Sequence, residues 1–273
     1  MDGGGVHQNA RAFLDATLNN AAVMTFIFNG VQFTNATVNN GGYHSAVLSV
    51  VTASASTLNF NMTNSQVFGA TLASKAAVLS SYGVGTNIIH IVNSQFRFNS
   101  ATGGPSIFDI SLESQPVTIT QQGCTFANND GILGNYISVS GALTGSFTGN
   151  TYQDNVGGLY KADAPELIWE EVDATMTRNQ AATSLLSYSA NSQNSHVTLQ
   201  NVTATLETQT GSIPWIDIQS PGFVMRTSTI SQMDVGTLLI VLPFMSIGLE
   251  DSSFVGCKSI LQLQDSEGNT ITG

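Results

Sequence analysis

Charge is scarce in this chain. Only 9% of its 273 residues are Asp, Glu, Lys or Arg, against about 25% in an ordinary soluble domain. Basic residues are scarcest: seven Lys and Arg face eighteen Asp and Glu, a net charge of -11. A nucleic-acid ligand is excluded, because that partner needs a basic footprint to displace counterions. Docking on an anionic membrane surface fails for the same reason. Long apolar runs are missing too. The longest, Thr237 to Ile247, contains Pro243 and is too short to cross a bilayer, so no membrane insertion is expected within this segment. Met1 to Gly5 carries neither a basic nor an apolar signal-peptide region. Two cysteines, Cys124 and Cys257, make no disulfide framework.

Plentiful Ser, Thr, Asn, Gln and Gly fill the place of charge. Such a composition disfavours long solvated helices and coiled coils. With 42% hydrophobic residues the chain is not a disordered one either.

Self-similarity carries the fold reading. A short alternating strand ends in Asn, Gly, Asp or Thr. An apolar or aromatic anchor follows at a fixed offset, often with Asn three residues later, as in Ile89 to Asn99. Equivalent anchors are Phe33, Val67, Phe96, Phe126, Tyr152, Met176, Ala204, Ile230 and Phe254, spaced 34, 29, 30, 26, 24, 28, 26 and 24 residues apart. That period belongs to solenoids.

Seven and five residues before each anchor lie inward pairs such as Phe60/Met62 and Ile89/Ile91, with outward residues between them. Ile119/Gln121 and Gly145/Phe147 place a weak residue inside. Strict counting also puts Glu171 inward beside Trp169, and a bulge is the expected repair. A second strand follows many anchors, as in Phe108-Asp109-Ile110 and Ile216-Asp217-Ile218. The predicted fold is therefore all-β: a right-handed parallel β-helix solenoid of about nine coils. A β-sandwich is disfavoured, because clear two-residue hairpin signatures are lacking. Residues 1–273 read as a single β-helix domain, a fragment of a longer chain. Residues 1–22 read as an N-terminal cap, with a short helix at Asn9 to Leu18, or as a partial coil.

Phe96-Arg97-Phe98-Asn99 with Gly103-Gly104, and Tyr152-Gln153-Asp154-Asn155 with Gly157-Gly158, carry a family resemblance. The chain resembles the pectin-lyase-like right-handed β-helix superfamily. Its Phe-x-x-Asn followed by Gly-Gly is similar to the repeat of polymorphic outer-membrane adhesins. The resemblance implies polysaccharide enzymes, phage tailspikes and adhesins as the candidate roles, and an extracellular or cell-surface location.

Asn99, Asn129, Asn155 and Asn179 recur in four consecutive coils. Stacked about 4.8 Å apart, their amides can donate to one rung and accept from the next. A polar ligand track is the alternative.

Hydrolysis of a polysaccharide wants two carboxyl groups about 5–9.5 Å apart. Lyase chemistry wants a basic residue, with acids and often Ca2+ neutralising the uronate. Asp109 and Asp217 share a strand position but lie four coils apart. The one dense acidic run is Asp163, Glu166, Glu170, Glu171 and Asp173, flanked by Lys161 and Arg178. Glu170, Asp173 and Arg178 are the candidate catalytic residues, and Asp163, Glu166 and Glu171 the candidate ligand contacts. Oxygen donors at this density could hold Ca2+, although a solvated loop followed by a polar strand is the favoured reading of the run. No zinc motif occurs. Asp154 and Arg178 should form an exposed ion pair on adjacent coils. Trp169 and Trp215 read as core. Cys124 and Cys257 should stand about 24 Å apart as free thiols, beyond disulfide reach.

The leading expectation is a non-enzymatic extracellular or cell-surface segment. It would display a polar face to a polysaccharide or surface glycoprotein, for adhesion. The alternative is a polysaccharide lyase or glycoside hydrolase.

Overall fold

The computed structural model describes residues 14–38, 47–53, 55–73, 76–113, 115–182, 184–205, 207–209, 215–220, 222–232, 239–241, 246–257 and 261–263. Every regular element among them is a strand. The strands form three parallel sheets, each running the length of the molecule. The first sheet stacks nine long strands, such as Thr57–Thr63, Thr86–Val92 and Glu166–Val172. The second stacks nine three-residue strands, from Gln32–Thr34 to Ser253–Val255. The third contains fifteen strands, with Leu14–Leu18 and Leu261–Leu263 at its two edges. One coil visits all three in turn, so the fold is a parallel β-solenoid. Right-handed winding is the hand that the crossover rule favours.

Sequence pattern and geometry meet at two corners. Each first-sheet strand is followed by a residue with positive φ: Gly30, Asn64, Asn93, Gly123, Gly149, Asp173, Asn201, Thr227 and Asp251. The chain turns sharply there, which is why Asn, Gly and Asp recur at that offset. A second positive-φ corner follows the three-residue strands, at Asn35, Gly69, Phe98, Asn128, Asp154, Arg178, Gln232 and Gly256. Between the corners the anchors stack in register. Phe96 pairs with Val67 and Phe126, Tyr152 with Phe126 and Met176, and Ala204 with Met176 and Ile230. Ring centroids of Phe96 and Phe126 lie 4.9 Å apart, and those of Phe126 and Tyr152 5.2 Å apart. Such stacked pairs contribute about 0.5–1.5 kcal/mol each beyond the burial of their area.

Alternation fills the core from the first sheet. In Thr86–Val92, Asn87, Ile89 and Ile91 are buried while Ile88 and His90 are exposed. The weak inward residues have physical reasons. Gly145 leaves room for the rings of Phe147 and Trp169, whose atoms stand 2.6 and 2.7 Å from where its Cβ would be. Gln121 accepts a hydrogen bond from Tyr160 inside the core. Trp169 and Trp215 are fully buried, as expected.

One expectation is corrected. The strand Glu166–Val172 pairs with Ala142–Thr148 without any shift, Gly145 opposite Trp169 and Phe147 opposite Glu171. The expected bulge is absent, and Glu171 points inward. The register shifts lie instead in the third sheet, between Pro105 and Phe108 and between Asp130 and Leu133. Of the two readings of the first residues, Leu14–Leu18 follows the partial coil and not the short helix: it is a strand paired with Leu48–Thr52. The remainder of that helix, the Asn39 to Gly42 turn and the tail beyond Leu263 lie outside the described residues.

Candidate functional site

The acidic run is distributed over separate faces because the chain changes sheet within it. Asp163 is exposed at the end of the third-sheet strand Val156–Asp163. Glu166 is half-buried at the start of the first-sheet strand, and Glu170 is exposed on its outer face. Asp173 occupies the first corner and accepts a 2.6 Å hydrogen bond from Asn201 Nδ2. Arg178 occupies the second corner. Of the candidate catalytic trio, Glu170 lies on a strand face, and Asp173 and Arg178 hold successive corners. The structure records no contact joining them. Glu171, placed among the ligand contacts, is only 1% exposed and offers no carboxylate to the surface.

Arg178 engages Asp154 instead. Its Nε and Nη2 donate to the two carboxylate oxygens at 2.7 and 2.8 Å. The guanidinium holds the Asp154 carboxyl below its ordinary value, helped by Gln153 and opposed by slight burial. This expected pair is present and exposed. It uses up the charge that lyase chemistry would ask of Arg178. Among the described residues, no three His, Cys, Asp or Glu side chains converge as the ligands of a metal ion. Ca2+ takes six to eight oxygens around one point, and the carboxylates of the run lie at separate positions along the coil. Asp109 and Asp217 do share a column, joined through Tyr136, Lys161 and Ser187.

Ionisable groups instead converge inside the solenoid. Glu171 Oε1 lies 3.1 Å from Tyr152 Oη, which lies 3.0 Å from Tyr160 Oη. Tyr160 in turn donates to Gln121 Oε1 at 2.8 Å. All four residues are buried, and they come from four different strands. Burial pushes Glu171 up to about 8, against the opposing pull of Tyr152 and Asn150. Burial also raises Tyr152, Tyr160 and Tyr188 well above the ordinary phenol, with Glu171 adding to each. The Cys124 thiol is pushed up to about 11 by the same cause. A thiol held protonated is a poor nucleophile. Both cysteines are free.

At the second corner the asparagine ladder forms. Asn99, Asn129 and Asn155 each donate through Nδ2 to Oδ1 of the next Asn, at 3.0, 3.0 and 2.8 Å. Each Nδ2 also donates to the carbonyl of the preceding coil's anchor: Val67, Phe96 and Phe126. The same Oδ1 atoms accept the backbone N–H of the rung before. Every polar atom of these amides is matched, so the ladder reading displaces the ligand track. Sequence reasoning missed its end. Glu207 takes the place of a fifth Asn and accepts both the backbone N–H and the Nδ2 of Asn179, at 3.0 and 3.2 Å. The signal was available, since Glu207 stands three residues past the anchor Ala204, as each Asn does past its own. Burial raises Glu207 to about 8, opposed by Asn179 and Arg178.

One outer column is uniform. On the second sheet the residue before each anchor is Gln32, Gln66 or Gln95, then Thr125, Thr151, Thr175, Thr203 or Thr229, and last Ser253. All nine side chains are exposed or half-buried, uncharged and able to hydrogen-bond. The strands of this sheet contain no Asp or Glu, and Arg97 is their one residue charged at neutral pH. Comparison with family models, curated proteins and solved structures finds no match.

Proposed function

We propose that the chain is a non-enzymatic binding scaffold. It presents the second-sheet face to a polysaccharide or a surface glycoprotein, outside the cell or at its surface. The observation that carries this reading is the unbroken column from Gln32 to Ser253. Parallel stacking repeats a hydroxyl or amide about every 4.8 Å along it. A repeating array of uncharged donors and acceptors suits a repeating, hydroxyl-rich partner better than a compact substrate. Catalysis needs convergent acids and bases, and the candidate trio is spread along the coil. Within this reading, the resemblance to pectin-lyase-like β-helices and to adhesin repeats favours the adhesive branch.

The test is a glycan array with the purified protein, run beside a turnover assay on neutral and acidic polysaccharides with and without Ca2+. Binding without product is expected, weakened when Thr175 and Thr203 are both replaced by Lys. Chain cleavage that Glu170→Ala abolishes would overturn the proposal and favour a lyase or hydrolase.

A further inference from the structure

Three contacts join Glu171, Tyr152, Tyr160 and Gln121, but the two tyrosines bring only two hydroxyl protons. Tyr152 donates to Glu171 Oε1 at 3.1 Å and Tyr160 to Gln121 Oε1 at 2.8 Å. The 3.0 Å contact between the two tyrosine oxygens is then left without a proton. A proton on Glu171 completes the set, with the carboxyl donating to Tyr152, Tyr152 to Tyr160 and Tyr160 to Gln121. In this arrangement Glu171 is a neutral acid at the head of a one-way chain that ends on an amide oxygen.

The chain can also run the other way. If Gln121 turns its amide so that Nε2 faces Tyr160, Tyr160 can donate to Tyr152 and Tyr152 to an ionised Glu171. Both directions use the same four side chains and leave the backbone in place. The proton leaves to water, and two hydroxyls and one amide reorient. We propose that Glu171, Tyr152, Tyr160 and Gln121 form a buried hydrogen-bond relay with two polarities, which stores one proton and couples the stability of the middle coils to pH.

The surroundings favour the protonated polarity. The titratable groups acting with Glu171 are Tyr152, Tyr160, Tyr188 and Cys124, each more easily held neutral than charged in this core. Phe147 and Leu199 cover it on the neighbouring rungs. Tyr152 and Asn150 are the groups that favour its ionised form, and no lysine, arginine or histidine is among them. Burial without a cation penalises the carboxylate. The unfolded chain gives up this proton near 4.5, whereas the folded chain keeps it to about 8. The native state therefore holds the extra proton between those values, and stability falls as pH rises across them.

Urea unfolding between about pH 5 and about pH 9 reads the stored proton directly, since each such proton changes the unfolding constant about tenfold per pH unit. Glu171→Gln keeps a neutral donor towards Tyr152. It is expected to lose about tenfold per pH unit of the wild-type dependence up to about pH 8. Glu207→Gln removes a second carboxyl that burial raises, Asp217 being a third, and serves as the comparison. An unchanged slope in Glu171→Gln would overturn the relay. Infrared spectra of the Glu207→Gln protein keep the proposal falsifiable if Glu171→Gln does not fold. A protonated-carboxyl C=O band at about pH 6 that vanishes above about pH 8 is expected. Absence of that band at the lower pH would overturn it.

Discussion

The asparagine ladder and the Glu171 relay are both buried polar networks in the same middle coils, yet they are built on different rules. The ladder places one residue type at one corner position of successive coils, and its amides bind backbone as well as each other. The relay joins four different residues from four strands, and its groups bind only side chains. An Asn locked onto backbone N–H and C=O has one orientation. A hydroxyl that meets only other side chains has two. The ladder is thus a fixed wall that holds the corner, and the relay is an adjustable element inside it.

The sharpest break of the comparison is Asn155→Leu. It removes the side chain that matches the Asn129 backbone N–H and the Phe126 carbonyl, and takes one of two bonds from Asn129 Nδ2 and Asn179 Oδ1. Each such loss costs about 1–3 kcal/mol, so a drop on the order of 4 kcal/mol is expected in urea unfolding. Asn128→Gly, one residue before the next ladder position and exposed at a positive-φ corner, should change little or stabilise slightly. Equal effects at Asn128 and Asn155 would mean that Asn serves these coils only as a corner residue.

Gly145→Ala probes the packing beside the relay. The new methyl would meet the rings of Phe147 and Trp169 at 2.6 and 2.7 Å, both buried and stacked on each other. Overpacking of this kind costs about 1–3 kcal/mol, and thermal unfolding should show it. A neutral result would show that the aromatic stack can slide, and that the relay sits in softer surroundings than its burial implies.

The same contrast decides what the sequence could show. Corners need residues that tolerate positive φ, and the anchor follows at a fixed offset. Nine anchors could therefore be placed, even the small Ala204, and each stacks on its counterparts. The ladder repeats with the coil, so it was legible as well. The relay does not repeat. Gln121 reads as a weak core residue, and Glu171 as one of several surface acids. Glu170 and Glu171 are neighbours in sequence and opposite in face, a choice that one residue of register makes. A bulge was expected because a lone buried carboxylate is costly. The partners that make the site tolerable, Tyr152 and Tyr160, come from other strands. Glu207 was reachable by the ladder's own spacing, but its chemistry matched no neighbour in the chain.

Glu207→Gln sharpens the comparison where the ladder itself becomes titratable. Glu207 is raised from 4.5 to about 8, chiefly by burial. Its contribution is therefore fully present in acid and is lost as pH rises between those values. Gln cannot ionise, so the variant should show a flatter pH dependence. It should also lose about 1 kcal/mol in acid, because its amide nitrogen cannot accept the bond that Asn179 N–H gives to Oε2. A wild-type pH dependence that survives the change would place the titration elsewhere.

The smallest effect belongs to the surface. Asp154 and Arg178 make two short bonds at the second corner, but their side chains are 31% and 48% exposed, so solvent and salt screen the pair. Its pH sign is opposite to that of the buried acids. Asp154 is held below its ordinary 3.8, chiefly by Arg178, so whatever the pair contributes is present above that value and lost in acid. Asp154→Asn should shift the unfolding midpoint slightly at neutral pH in low salt. The shift should vanish in about 1 M salt, where the screening length is about 3 Å. A large, salt-resistant loss would mean that the corner is shielded from solvent. The pair would then belong with the ladder as part of the wall, and Arg178 would be unavailable to any partner of the outer face.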